Sequence, residues 1–146
     1  MDILNHGTTG ADFRACREYV GWTQMEVANN LEINVTTVKR WERPLQPFDP
    51  PEFAWKWMDA ELKTHDSEVD RVLDIVDRIE EHNGPTLDPV KLVMFHNRDG
   101  HSRLRPDGRS SGFHNAVQRE VWQCLSDSGH NVEFIWASED DKEAIW

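Results

Sequence analysis

The sequence predicts a mainly α-helical fold that ends in a small α+β element. Three observations carry the prediction. Two helix-start signals follow one another closely near residues 23 and 34. A long stretch after a cluster of prolines keeps apolar residues at intervals of three and four. Two short runs rich in β-branched and aromatic residues flank a further helical stretch.

Taken in order, residues 1-10 are rich in Gly, Thr and Asn and predict a flexible arm. A first helix runs from Ala11 to Gly21, with Phe13, Cys16, Arg17 and Val20 on one face and Gly21 as its left-handed stop. Thr23-Gln-Met-Glu26 is a capping box, in which the Thr23 hydroxyl meets the amide at the third helical position and Glu26 reaches back. Val27, Ala28 and Leu31 continue that second helix, and small Ala28 suits a close helix crossing. Glu32-Ile33-Asn34 is a short connection, and Asn34 caps a third helix from Val35 to Arg43. Pro44, Pro47, Pro50 and Pro51 then forbid continuous helix.

A fourth helix is expected over Glu52 to Lys63, carrying Phe53, Trp55, Trp57, Met58 and Leu62. Some of that aromatic surface should pack on the helices before it. Asp66 or Ser67 reads as the cap of a separate fifth helix, whose stripe is Val69, Val72, Leu73, Val76 and Ile79 and which ends at Asn83-Gly84-Pro85. Val90 to Phe95 predicts a strand, Phe113 to Ser128 a helix with Val117, Val121 and Leu125 in register, and Val132 to Trp136 a second strand. The organisation expected is thus a helical domain over 11-83 and a strand-helix-strand module over 84-146. Two strands alone are marginal, so the module is expected to dimerise.

Composition narrows the function classes. Charged residues make up 29% of the 146 and hydrophobic ones 38%, and no apolar run approaches the ~18 residues of a bilayer span, which argues against a membrane partner. The first ten residues have neither the basic patch nor the apolar core of a secretory signal, so a cytoplasmic location is expected. Cys16 and Cys124 each lie within a helix, away from other metal ligands, and read as buried reduced thiols. The net charge of −11 is unusual for a chain that meets phosphates, but residues 1–48 are close to neutral at −1 and the rest carries −10. Acidity elsewhere suppresses non-specific adhesion to nucleic acid and leaves affinity to a few placed cations.

The stretch from Gly21 to Glu42 resembles the helix-turn-helix of the phage Cro and cI repressors, the XRE-type regulators. The shared features are the Gly, Thr and Gln before the second helix, Ala28, Leu31 and Ile33 about the turn, Val38, and the closing Trp41-Glu42 pair. Glu32 departs from the Gly usual in that turn, which implies a slightly strained turn or a capping difference, and Pro44 replaces a common Gly. The resemblance implies an N-terminal helix-turn-helix domain, and it sets Gln24 against a phosphate of double-stranded DNA. Independently, a helix beginning at Val35 would present Val35, Thr36 and Arg40 to base edges in a major groove. Asn34, Thr37, Lys39 and Arg43 would contact the DNA backbone, which positions without specifying. The order of elements after residue 52 is similar to that of the anti-CRISPR-associated repressors and related small bacterial regulators. That likeness implies autorepression of an operon, phage-borne or mobile, by a homodimer on an inverted-repeat operator.

One basic island stands apart. Arg98, Arg103, Arg105, Arg109 and Arg119 face only Asp99 and Asp107 between His96 and Arg119, which suggests a loop from Arg98 to Arg109 that reaches phosphates or binds RNA. Arginines pairing with an acidic neighbouring surface are the plainer alternative. His96, His101 and Asp99 lack a third ligand, and no phosphate-binding loop or nucleophile motif occurs, so neither an enzyme nor a cofactor is expected. The competing function is an antitoxin-type module that binds a protein partner through the aromatic face from Phe53 to Met58.

Overall fold

The computed structural model describes residues 5–45, 48–84, 88–96 and 109–137. In chain order these form α1 (Gly10–Tyr19), α2 (Gln24–Leu31), α3 (Val35–Glu42), α4 (Glu52–Asn83), β1 (Val90–Met94), α5 (Ser111–Asp127) and β2 (Val132–Trp136). The fold is mainly helical with one two-stranded sheet.

Local chemistry sets most of the boundaries. Thr9 accepts from the Asp12 amide at 3.1 Å while the Asp12 carboxylate accepts from the Thr9 amide at 3.0 Å, a capping box that starts α1. These bonds hold the Asp12 carboxyl below its ordinary value. Gly21, at φ 79°, closes α1 with the paired bonds of a Schellman turn, Trp22 N–H to the Arg17 carbonyl and Gly21 N–H to that of Glu18. Ser110 caps α5 by accepting from the Phe113 amide at 3.0 Å. Of the expected arm, residues 5–10 are described. His6 stacks on Trp55 at 4.6 Å and meets Asp59 at 2.7 Å, so this segment lies against α4.

The two helices expected on either side of residue 66 are one. α4 runs unbroken for 32 residues, and Asp66 and Ser67 lie inside it rather than capping a new helix. Among the described residues four helices, not five, therefore precede the sheet. The inward stripe never lapses, because Ala54, Trp55, Met58, Leu62, His65, Val69, Val72 and Val76 are all buried at helical spacing. The helix begins where Pro51, which has no N–H to leave orphaned, stands at its N-cap.

The aromatic half of α4 is the floor of the first three helices. Phe13 sits edge-on between Trp41 at 5.6 Å and Trp55 at 5.3 Å, and Trp22 meets Trp57 at 5.7 Å. One apolar cluster extends from Phe13 and Val20 through Met58 and Leu62 to Leu92, Val117, Val121 and Leu125. Two close backbone approaches tie it together. A Cβ on Gly10 would lie 1.7 Å from the Trp41 carbonyl oxygen, and one on Gly112 would lie 2.3 Å from that of Gly21. Both thiols are free; Cys16 is buried as expected, whereas Cys124 is only half-buried.

β1 and β2 pair in parallel with Val90 opposite Val132 and Met94 opposite Trp136, and α5 connects them. The Asn115 amide of α5 clamps the residue after β1, accepting from Phe95 N–H at 2.9 Å and donating to its carbonyl at 2.7 Å. At the far end His130 reaches Glu80 of α4 at 2.5 Å.

Glu32 stands in the left-handed region at φ 56°, ψ 43° between α2 and α3. A side chain there costs about 1 kcal/mol. Glu32→Gly is therefore expected to raise the unfolding free energy by about 0.5–1 kcal/mol, as read from urea denaturation. An unchanged or lower value would show that the turn is unstrained.

Candidate nucleic-acid interface

The site is built from the end of α1, all of α2 and all of α3. Thr23 and Glu26 make both bonds of the expected capping box, at 3.1 and 2.9 Å. α2 then closes on Glu32, and the Ile33 amide returns to the Ala28 carbonyl at 3.0 Å. Ala28 is buried at that crossing, as its size required. Asn34 starts α3 by accepting from the Thr36 amide at 2.8 Å.

α3 has two unlike sides. Val38, Trp41 and Glu42 are buried, and Val35 packs in part against the core. Thr36, Lys39, Arg40 and Arg43 are exposed, with Thr37 between the two sides. Among the described residues Lys39, Arg40 and Arg43 make no ion pair, so three cations project from one short segment. Only the uncovered part of Val35 can meet a ligand. The Asn34 side chain is held as a cap.

Glu42 would set a negative charge behind this cationic face, but it is neutralised from within. The Arg17 guanidinium grips it with two bonds of 2.8 Å, and its third nitrogen donates to the Trp22 carbonyl at 3.0 Å. Gln24 donates to the same carboxylate at 3.2 Å, which fixes its side chain beside the first turn of α2. Arg17, Trp22, Thr23 and Gln24 together with Arg14, Glu18 and Gly21 line a shallow recess there, the Glu18 carboxylate accepting from Arg14 at 2.9 Å. An acceptor seated in it would meet the amide end of α2 and its fractional positive charge.

Arg17 and its ion pair were not singled out by the sequence. The one available sign was a cation at an inward position of α1, on the same stripe as Phe13 and Val20. Thr9-Gly-Ala-Asp12 was likewise a legible capping pattern. From the basic island, residues 97–108 lie outside the described residues. Arg109 is described: its guanidinium lies 3.5 Å from buried Glu61 and 5.3 Å from the Phe113 ring centroid. Arg119 is exposed on α5.

No protein-family model matches the chain, and no curated protein is similar to it at a meaningful level. Among the described residues no helix is long and apolar enough to cross a membrane.

Proposed function

We propose that the chain is a sequence-specific, double-stranded-DNA-binding transcriptional repressor that works in the cytoplasm as a homodimer and controls its own operon. In this reading α2 and α3 are a helix-turn-helix. α3 enters the major groove, Thr36 and Arg40 read base edges with the open part of Val35, and Lys39, Arg43 and Thr37 hold phosphates. Gln24 faces the backbone at the start of α2.

The observation that carries this reading is the division of α3. Its rear is locked into the core by Val38, Trp41 and the neutralised Glu42, while its front, continued by Arg43 at the C-cap, projects Thr36, Lys39 and Arg40, and the three cations make no ion pair among the described residues. In a chain of net charge −11, such a front is an anion-facing device with a rigid mount. The antitoxin reading loses support at its proposed surface, because Ala54, Trp55 and Met58 are buried within the chain's own core and only Phe53 of that face is well exposed.

The test is fluorescence anisotropy on DNA from immediately upstream of the reading frame, against scrambled DNA and over a salt series. Preference for the upstream DNA is expected. Arg40→Ala should weaken binding to it by about 1–3 kcal/mol, roughly 5- to 150-fold, and flatten the preference while the far-UV spectrum stays unchanged. Equal, weak binding to both DNAs would reject the proposal. An Arg40→Ala protein that is just as selective would reject the base-reading role alone.

A further inference from the structure

We infer that the outer edge of β2 is a two-fold seam, at which β2 strands of two copies pair antiparallel about Phe134 and turn two small sheets into one of four strands. This rests on the homodimer reading above and specifies where that dimer joins.

The backbone gives the first part of the argument. The Asn131 carbonyl accepts from Val90 N–H and the Ala137 N–H donates to the Met94 carbonyl, each at 2.8 Å. Residues 131, 133, 135 and 137 therefore turn their polar groups toward β1, and by the alternation of a strand Val132, Phe134 and Trp136 turn theirs outward. Among the described residues the sheet has only these two strands, and none of those residues adds a third strand at that edge. A row of outward N–H and C=O groups is a template for strand addition.

The side chains give the second part. Trp136 is 64% exposed and Phe134 38%, and Trp122 of α5, 42% exposed, lies edge-on to Phe134 at 5.8 Å. Phe134 and Trp136 share one face of the strand, so an apolar patch borders the open edge on the side that α5 covers. An edge left open by the described residues and carrying such a patch calls for a partner with the same features. A second copy of β2 has them by definition.

The register follows. Antiparallel pairing must bring outward-facing residues opposite one another, so the two-fold axis has to pass through a residue. Centred on Phe134, all three outward residues of each strand are bonded, with Phe134 opposite Phe134, Val132 opposite Trp136, and Glu133 opposite Ile135 of the second copy. Centred on Glu133, the two carboxylates would be set against each other and fewer residues would pair. Centred on Ile135, Val132 would fall outside the pairing. Glu133 already faces Lys91 across its own sheet, so the Phe134-centred seam has no opposed like charges.

The test combines mass and proximity. Sedimentation equilibrium of the full chain at micromolar concentration is expected to give a dimer. Trp136→Lys, at an exposed position, should weaken that dimer at least tenfold. In a Cys124→Ser background, Phe134→Cys should form a disulfide-linked dimer on mild oxidation. Glu133→Cys should not, because its counterpart is offset by two residues, beyond the ~7 Å Cα separation a disulfide spans. A dimer that survives Trp136→Lys intact, or that links through Glu133→Cys and not Phe134→Cys, would overturn the seam and leave the homodimer reading standing. A monomer at high micromolar concentration would overturn both.

Discussion

Arg17→Met is expected to lower the unfolding free energy by about 3–5 kcal/mol. The change removes a cation that supplies three hydrogen bonds at 2.8–3.0 Å, two of them to Glu42. The Glu42 side chain is 2% exposed, so its carboxylate cannot recover water in exchange. It would retain only the Gln24 amide at 3.2 Å. The cost thus arises mainly from the charge left behind, and removing that charge as well should reverse most of it. Arg17→Met combined with Glu42→Leu is expected to lie within about 1 kcal/mol of the parent, since a buried pair adds little over apolar groups that fill the same volume. Urea denaturation of the two single variants and the double variant measures the coupling. A loss below about 1 kcal/mol in Arg17→Met would show that the pair is solvated. If the double variant is stable but binds upstream DNA less well, the pair's remaining role is to place Gln24 and the first turn of α2.

Acid should loosen the junction of α1, α4 and α5 through His65. Its ring is 1% exposed, lies 4.6 Å from the Tyr19 ring and 5.9 Å from that of Phe113, and has no well-formed hydrogen bond at either nitrogen. Burial lowers its pKa to about 4, with the Arg119 charge pushing the same way and the Ala116 backbone opposing. The same burial pushes Tyr19 up to about 12. Above pH 6.5 His65 is neutral in both the folded and the unfolded chain and contributes no pH dependence. Between pH 6.5 and 4 the unfolded chain binds a proton that the folded chain excludes, so stability falls as pH falls. The shift corresponds to about 3 kcal/mol over that window. His65→Leu should remove this part of the slope, and the comparison with the parent separates it from carboxylate titration. Parallel stability-against-pH curves for the two proteins would show that His65 is not the group responsible.

The capped helix starts were legible because caps are local. Thr23 with Glu26, and Asn34 with Thr36, are fixed by residues two or three apart, and each bond forms where the pattern placed it. Burial of Ala28 followed from its small size at a short connection between two helices. The continuity of α4 was hidden at Thr64-His65-Asp66-Ser67, four polar residues in a row. The inward position there is filled by His65, whose apolar setting comes from Tyr19 and Phe113, both remote in sequence. In the sequence Arg17 is one more member of a helical stripe, because its partner lies on α3 and only the fold brings Glu42 to it. In the candidate site, exposure of Thr36, Lys39 and Arg40 agreed with the expected face, whereas the partial burial of Val35 reflects contact with the core that helix periodicity alone did not reveal.

The unbroken α4 also sets a distance. Its 32 residues make a rod of about 48 Å, with the floor of the α1–α3 unit at one end and the support of the sheet at the other. A hinge at residue 66 would have let the two reading helices of a dimer adjust independently. A rod does not. In the proposed dimer the gap between half-sites is therefore measured by a ruler of fixed length. Inserting half a helical turn of DNA between the half-sites should turn one of them away from its reading helix, and two half-sites so displaced should bind little better than one.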